Sequence, residues 1–237
     1  MRRTVCFLAA LAGSLSLPAQ AGLITNGGFE TGLTGWTRAD QLGSDGTFSV
    51  QTGTLSPVNG FTVPPPPGGI RAAITDSLGP GSHVLYEDFV VPNSITVGYF
   101  ITFSLYINNG HGAGAFFAPA FLDFSTPDLN QQARVDIIKP SASVFSVAAA
   151  DVLQNLYQTV PGNPLVSGYT SFARDITALL QANQGQTLVL RFAEVDNVAP
   201  FNLGVDNVDI NAVPEPSSWI MVCGAMVGLG LMRPRRA

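Results

Sequence analysis

The chain has 237 residues, of which 11% are charged and 46% are apolar, and its formal net charge at pH 7 is −5. Between the two hydrophobic ends, residues 22–212 carry six basic and fifteen acidic side chains, a net charge of −9. An acidic body with so few basic side chains excludes nucleic acid as a partner, because phosphate backbones require a basic surface. The length suffices for one sizeable domain.

The first 21 residues have the features of a secretory signal peptide. Arg2 and Arg3 precede the apolar stretch Val5–Leu17, which is shorter than the roughly 20 residues of a membrane-spanning helix. Ala19-Gln20-Ala21 supplies the small residues of a cleavage site, so we predict a mature protein that begins at Gly22. The alternative is an N-terminal membrane anchor. The body has no cysteine, so its core must hold it together, with or without a metal.

Four stretches of the body alternate in polarity or are rich in β-branched and aromatic residues, and we predict them as strands. They are His83–Val91, Ile95–Ile107, Arg134–Ile138 and Thr187–Val195. In the second stretch, every other residue is apolar and is expected to line the core: Ile101, Phe103, Leu105 and Ile107. Gly, Pro and Asn separate the stretches, so the pattern predicts an all-β, antiparallel β-sandwich over residues 22–210.

Two short helices are predicted among the strands. The first covers Ala148–Tyr157. The second covers Ala173–Ala182, where Ile176, Leu179 and Leu180 have helical spacing, and Gly185 is expected to end it. The predicted fold is therefore a sandwich with one or two short helices, flanked by the signal peptide and by one C-terminal transmembrane helix.

Two short motifs stand at opposite ends of the body. One is Asn26-Gly27-Gly28-Phe29-Glu30, closely followed by Gly35-Trp36, and the other is Val205-Asp206-Asn207-Val208-Asp209-Ile210. Together they resemble the galactose-binding-like jelly rolls of carbohydrate-binding modules. The resemblance implies that the first and last strands lie side by side, so that Asn26–Trp36 meets Val205–Ile210. It does not identify a ligand, because one fold serves many functions.

The resemblance also implies a metal site. In related jelly rolls, a structural calcium ion often joins the N-terminal motif to the last strand. By that resemblance the ligands are Glu30 and Asp206, with Asp209 and carbonyl groups near Gly27 as further ones. Calcium takes six to eight oxygen ligands, which include backbone carbonyls. The alternative is that Glu30 and Asp206 cap turns or accept hydrogen bonds from exposed amides.

Catalytic motifs are scarce in the sequence. It contains no nucleophile elbow, no His-Glu-x-x-His helix and no phosphate-binding loop. His111 lies in a glycine-rich loop, where a lone histidine is usually solvated. Two acidic pairs, Glu87-Asp88 and Glu194 with Asp196, have the residue types of a glycosidase, but any acidic sandwich offers such pairs. We therefore predict that the protein is not an enzyme, and a glycoside hydrolase is the least favoured alternative.

Glycan binding requires aromatic faces with polar groups around them. Trp36 is the one tryptophan of the body, and we predict that it packs at the sandwich edge rather than forming a sugar platform. Phe116-Phe117 and Tyr106 are the other aromatic candidates. The sequence alone leaves the glycan contacts open.

The last 27 residues, 211–237, have three parts. The predicted linker, 211–218, contains Val213-Pro214-Glu215-Pro216, and the apolar segment Trp219–Met232 follows it. Arg233, Arg235 and Arg236 form a basic tail over residues 233–237. As a helix, the segment is about 21 Å long, so Trp219 and the arginines must extend it to span a bilayer core of about 30 Å. The arginines favour the cytoplasmic side and leave the body outside that membrane.

In this order and position, the three parts resemble the PEP-CTERM sorting signal of Gram-negative bacteria. The resemblance implies export, transient anchoring in the inner membrane with the ectodomain in the periplasm, and processing near Pro214-Glu215-Pro216 by an exosortase. Proteins of that class reach the cell surface or matrix and are associated with exopolysaccharide and biofilm. We predict a non-catalytic surface or matrix protein. The alternative is a carbohydrate-binding module for the cell's own polysaccharide.

Overall fold

The computed structural model describes residues 22–57, 59–75 and 78–213, without the side chain of His111. Several predictions concern residues outside these ranges: the signal peptide 1–21, Pro214-Glu215-Pro216, the Trp219–Met232 segment and the arginines at positions 233, 235 and 236. They remain predictions. Within the described ranges, no helix is both long and apolar enough to cross a membrane.

The described residues form ten strands and one short α-helix. In chain order the elements are β1 (Thr37–Asp40), β2 (Ser49–Thr52), β3 (Arg71–Ile74), β4 (Gly81–Val90), β5 (Gly98–Asn109), β6 (Gln131–Ile138), β7 (Val152–Gln158), β8 (Val166–Asp175), α1 (Thr177–Ala182), β9 (Thr187–Asp196) and β10 (Phe201–Val213). A single 3₁₀ turn, Gly110–Gly112, follows β5. All neighbouring strands pair antiparallel.

The strands form two five-stranded sheets packed face to face. The first sheet has the order β1-β4-β9-β6-β7 and the second has the order β2-β3-β10-β5-β8. The eight strands from β3 to β10 follow the jelly-roll order, in which the first and last of the eight are neighbours and β6–β7 is a hairpin within one sheet. β1 and β2 each add one edge strand. The structure thus confirms the predicted antiparallel sandwich.

β5 shows how the sequence produces the core. Its alternating apolar side chains are at most 4% exposed, as predicted: Ile101, Phe103, Leu105 and Ile107. Thr102, which points to the opposite face, is exposed. Phe103 meets Phe192 of β9 edge to face, with ring centroids 5.8 Å apart, so the two sheets interlock here. Each such buried side chain stabilises the fold by roughly 1.5–3 kcal/mol.

The two end motifs meet, as the resemblance implied. The Val208 amide donates to the Gly27 carbonyl over 2.9 Å, and the Leu23 amide donates to the Ile210 carbonyl over 3.1 Å. A Cβ atom on Gly27 would lie 1.8 Å from the Val208 carbonyl oxygen, so only glycine lets the N-terminal segment run this close to β10. β10 carries a bulge here, and Asn207 within it has a φ of 52°.

β10 extends beyond the second motif. Its last three residues, Asn211 to Val213, pair with β5 as far as Gly98. The sandwich therefore includes three residues beyond the predicted domain end at 210, within the predicted linker 211–218. The chain leaves the sandwich at the end that holds Gly98, opposite the end that holds Asn109 and Phe201.

The predicted helix Ala148–Tyr157 is wrong, because a turn at Ala148 leads into β7, an edge strand of the first sheet. Two register shifts interrupt the pairing of β7 with β6, one between Val135 and Asp136 and one between Ile137 and Ile138. At each shift, the strict alternation of inward and outward side chains along β7 is interrupted. As a result, its apolar residues at positions 152, 153, 156 and 157 have the spacing expected of a helix.

The predicted helix Ala173–Ala182 is correct only in its second half. Ala173–Asp175 ends β8, and α1 begins at Thr177. The Thr177 amide donates to Asp175 Oδ1 over 2.8 Å at the start of the helix, and Leu180 is fully buried. Gly185, with a φ of 73°, lies three residues after the helix and donates to the carbonyl of Val91, so it turns the chain towards β9.

Two connecting segments cover part of the outer face of the first sheet. Leu122 belongs to one of them and packs in a small cluster with Val195. On the same sheet, Asp136 accepts hydrogen bonds from Arg134 over 2.6 Å and from Arg191 over 2.8 Å. All three charged side chains are buried. The chain itself therefore occupies this part of the surface.

Candidate functional site

The sandwich is open along the edge where β7 and β8 are the outermost strands. A cleft of about 220 Å³ enters there between the two sheets, and we call it the edge cleft. Its lining residues are Leu105, Ile107, Tyr157, Asn163, Pro164, Ser167, Thr170 and Phe172. Leu105 and Ile107 belong to the hydrophobic core, so the floor of the cleft is the core itself.

Two aromatic rings form one wall of the edge cleft. The ring centroids of Tyr157 and Phe172 are 4.9 Å apart at an interplanar angle of 57°, and Phe172 also stacks on Phe103 at 5.4 Å. Burial raises the pKa of Tyr157, so its phenol is neutral at physiological pH. The guanidinium of Arg174 lies 5.5 Å from the Phe172 ring centroid and donates through Nε to the Leu156 carbonyl. These contacts hold the wall in place.

Neutral polar groups surround the aromatic wall. Asn163 accepts the Val160 amide through Oδ1 over 2.8 Å, and its side-chain nitrogen has no hydrogen-bond partner among the described residues. The hydroxyl groups of Ser167 and Thr170 line the same cleft, and Thr170 is exposed. A ligand in the cleft would therefore meet an apolar floor and a rim of one amide and two hydroxyls.

A second depression adjoins the edge cleft across the β7–β8 loop. It has a volume of about 420 Å³ and shares Asn163 with the cleft. Phe116 and Phe117 both line it: Phe116 is buried and packs on Phe201, while Phe117 is half-buried. The depression thus gives Phe117, one of the aromatic candidates from the sequence, an open face. The two hollows share Asn163 and lie on either side of the β7–β8 loop.

The other aromatic candidates are not available to a ligand. Trp36 is 7% exposed, donates through Nε1 to the Thr25 carbonyl, and contacts the rings of Phe29 and Phe192. It therefore packs at the sandwich edge rather than forming a sugar platform. Tyr106 is 3% exposed, so its ring is also enclosed.

The predicted calcium ligands Glu30 and Asp206 converge on one loop. Glu30 Oε1 accepts the amides of Ile70 and Arg71 at 2.9 Å each, and Asp206 Oδ2 accepts the amide of Gly68 at 3.0 Å. Burial, with a further contribution from the charge of Glu30, raises the pKa of Asp206 to about 6. Two carboxylates that repel each other across a loop fit a divalent cation, although amides already satisfy part of their bonding capacity.

Asp209 stands apart from this pair. It is half-buried beside Gly22 and accepts a hydrogen bond from the side chain of Asn211. The carbonyl of Gly27 is engaged by the Val208 amide. In the ranges that the structure covers, no three His, Cys, Asp or Glu side chains come together to hold a metal ion. The structure therefore brings together two of the three predicted carboxylates, and any further ligands would be backbone carbonyls.

The acidic pairs considered for hydrolysis lie away from the edge cleft. Glu87 is buried and accepts the Thr25 amide, whereas Asp88 is exposed on the opposite face of β4. Glu194 and Asp196 are buried at the end of β9, and burial raises the pKa of Asp196 to about 7. Asp196 borders a cavity of only about 130 Å³, which is small for a sugar chain.

The sequence reasoning missed the residues of the edge cleft. Tyr157 was assigned to a helix, and Phe172 lay outside every predicted strand. One feature of the site can be predicted from the sequence: Pro161-Gly162-Asn163-Pro164 is a strong turn sequence, and in the structure this turn separates the two hollows.

No protein-family model and no curated protein matches the chain. Among solved structures, it is similar to the carbohydrate-binding module TmCBM61 in complex with β-1,4-galactotriose, with 12% identity over 82% of this chain and 100% of that chain and a TM-score of 0.48. It is also similar to a family 11 carbohydrate-binding module of Clostridium thermocellum, with 12% identity over 79% of this chain and 94% of that chain and a TM-score of 0.40. A cyclase of Fischerella is 18% identical over 83% of this chain and 98% of the cyclase chain, with a TM-score of 0.44.

Proposed function

We propose that residues 22–213 are a non-catalytic carbohydrate-binding domain and that the edge cleft is its binding site. The observation that carries this proposal is the aromatic wall of Tyr157 and Phe172 above an apolar floor, with neutral hydrogen-bonding groups at the rim. A pyranose ring has the complementary surface, because its C–H faces are apolar and its hydroxyl groups lie around the edge. Binding sites commonly combine such an apolar surface with a few convergent polar groups.

A hydrolytic role is less well supported at this site. A glycosidase needs two carboxyl groups on either side of the scissile bond, about 5–10 Å apart. No Asp or Glu lines the edge cleft or the adjoining depression in the described part of the chain. Binding without cleavage is therefore the function that the cleft supports best.

The proposal extends to where the domain works. The signal peptide and the PEP-CTERM-like tail support export, transient anchoring in the inner membrane, exosortase processing, and display at the cell surface or in an exopolysaccharide or biofilm matrix. β10 adds a geometric argument: Val213 leads to the tail, and the opposite end of the sandwich lies about 40 Å away at 3.3 Å per residue. The edge cleft borders that opposite end, so an anchored protein would present it away from the membrane.

A glycan array probed with residues 22–213 tests the binding function. This fragment contains both sheets and the whole described core. We expect polysaccharide binding that is lost in Tyr157→Ala and retained in Leu42→Ala, which truncates a side chain that is 97% exposed on the opposite edge. Fractionation of cells with and without the exosortase tests the sorting. If body and tail stay together in both strains, the processing proposal fails.

A structural calcium ion at Glu30 and Asp206 is a second, separate proposal. It is supported by the convergence of both carboxylates on the loop that contains Gly68 and Arg71. A bound ion would cancel their repulsion and fix the N-terminal motif to β10. The test is thermal unfolding: EDTA should lower the Tm, and added Ca²⁺ should restore it. An unchanged Tm in both conditions would exclude the ion.

A further inference from the structure

We propose that the edge cleft is selective for neutral polysaccharides and rejects glycans that carry carboxylate or sulfate groups. The inference rests on the proposed carbohydrate-binding function and specifies the ligand class of the same site. Two observations support it: the described side chains that line the two hollows are uncharged, and the body as a whole is negatively charged.

The described side chains that line both hollows are uncharged. The residues of the edge cleft contribute aliphatic and aromatic surface, the three hydroxyl groups of Tyr157, Ser167 and Thr170, and the carboxamide of Asn163. The adjoining depression adds only glycine, alanine, proline, phenylalanine and leucine to that same asparagine. Among the side chains that the structure describes, which do not include that of His111, no lysine, arginine or histidine lines either hollow to neutralise an anionic sugar.

Arg174 is the basic residue nearest in sequence to the aromatic wall; it is exposed, and two of its three guanidinium nitrogens donate to backbone carbonyls. It lies over the Phe172 ring, donates through Nε to the Leu156 carbonyl over 3.0 Å, and donates through Nη1 to the Ala173 carbonyl over 2.9 Å. It therefore links β8 to β7 at the wall instead of lining the cleft.

An anionic sugar would lose its hydration in the cleft without gaining a cationic partner. Removing a carboxylate from water without such a partner costs far more than removing a hydroxyl group that keeps its hydrogen bonds. The cleft thus disfavours an anionic glycan because the charge of that glycan would be left without a partner, which is a common way for proteins to reject a ligand. The net charge of −9 on residues 22–212 adds a long-range repulsion, which salt screens over about 8–10 Å.

The size of the hollows adds a second constraint. The edge cleft holds about 220 Å³, below the roughly 300–1,000 Å³ of pockets that enclose drug-sized ligands, so it suits about one sugar ring. The next ring would cross Asn163 and reach Phe117 in the depression. The proposed ligand is therefore a segment of neutral chain, at least two sugars long, that lies across the β7–β8 loop.

The test compares neutral hexose oligosaccharides with oligosaccharides of the corresponding uronic acids by calorimetry on residues 22–213. Titrations at 0.5 M NaCl suppress the long-range repulsion, so that the remaining difference reports on the cleft. We expect the neutral ligands to bind at least tenfold more tightly. Thr170→Arg places a cation in the lining and should raise uronate affinity several-fold. Leu42→Arg adds the same charge at the opposite edge and should leave the ratio unchanged.

The outcomes separate the inference from the proposed function. If wild-type protein binds uronates as tightly as neutral sugars, the inference is wrong and carbohydrate binding stands. If Thr170→Arg and Leu42→Arg change the ratio equally, the discrimination does not arise in the cleft and the inference is also wrong. If no glycan of either kind binds, the proposed function itself fails.

Discussion

The two edges of this sandwich are built differently. At the edge formed by β1 and β2, three aromatic side chains from the segments that precede these strands close the space between the sheets: Phe29, Trp36 and Phe48 are at most 7% exposed. At the edge formed by β7 and β8, the corresponding aromatic residues, Tyr157 and Phe172, are only half-buried, and a cleft remains. We refer to these as the closed edge and the open edge.

The closed edge is sealed by chain that belongs to neither sheet. The N-terminal segment runs along β10 and places the indole of Trp36 against Phe192 at a centroid distance of 5.8 Å. The open edge has no such covering segment within the described ranges, and the β7–β8 loop only divides it. The same kind of residue thus stabilises the fold at one edge and is available to a ligand at the other.

The largest effect on stability is expected at the closed edge. Trp36→Ala removes a buried ring and a hydrogen bond to Thr25, and should lower the free energy of unfolding by about 3–5 kcal/mol. Urea unfolding measures this loss, and Trp36→Phe, which keeps most of the volume, should cost less. Glycan binding by the folded fraction should stay at the wild-type level. A loss of binding in folded Trp36→Phe would contradict the separation of the two edges.

At the open edge, we expect the reverse combination of effects. Tyr157→Ala removes a half-buried ring, so the free energy of unfolding should fall by only about 1–2 kcal/mol. Glycan affinity should fall at least tenfold, because half of the aromatic wall is lost. Calorimetric titration and urea unfolding on the same sample separate the two quantities. Tyr157→Phe keeps the ring and should bind within a few-fold of wild type; equal losses in both variants would refute a stacking role.

The fold was predictable to the extent that strands alternate without interruption. From Ile101 to Ile107, every second residue is apolar, so the sequence alone predicted which side chains face the core. The β6–β7 hairpin was not, because its two bulges break the alternation and β7 therefore resembled a helix. The meeting of the two end motifs followed from a family resemblance, because local pattern does not indicate which distant segments become neighbours.

The site was far less predictable than the fold. Its floor comes from β5, its wall from β7 and β8, and its rim from the loop between them, so it exists only once two edge strands lie side by side. Trp36, the aromatic residue most visible in the sequence, is in the core instead. Whether an aromatic residue is open to a ligand depends on which edge it occupies, and that is a property of the sheet order.

The smallest expected effect concerns the pH dependence of stability near the closed edge. The pKa of Asp206 is about 6 in the folded protein, above its ordinary value of 3.8. Between these values the folded state keeps a proton that the unfolded chain has released, so the free energy of unfolding falls as the pH rises from about 4 to 6. In EDTA at pH 7, Asp206→Asn should therefore raise the Tm by about 2–4 °C, equivalent to about 1 kcal/mol, and change it little at pH 4.

The proposed calcium ion predicts the opposite sign for this substitution. If Ca²⁺ binds, the wild-type carboxylate gains a cationic partner that the neutral asparagine holds less tightly, so Asp206→Asn should become destabilising at pH 7. Asp209→Asn on the same strand is the matched control, because Asp209 lies beside Gly22 and accepts a hydrogen bond from Asn211 instead of meeting the Gly68–Arg71 loop. A Tm that rises in EDTA and stays raised with Ca²⁺ would mean that Glu30 and Asp206 repel each other without binding an ion. The closed edge would then be held by packing and hydrogen bonds without an ion.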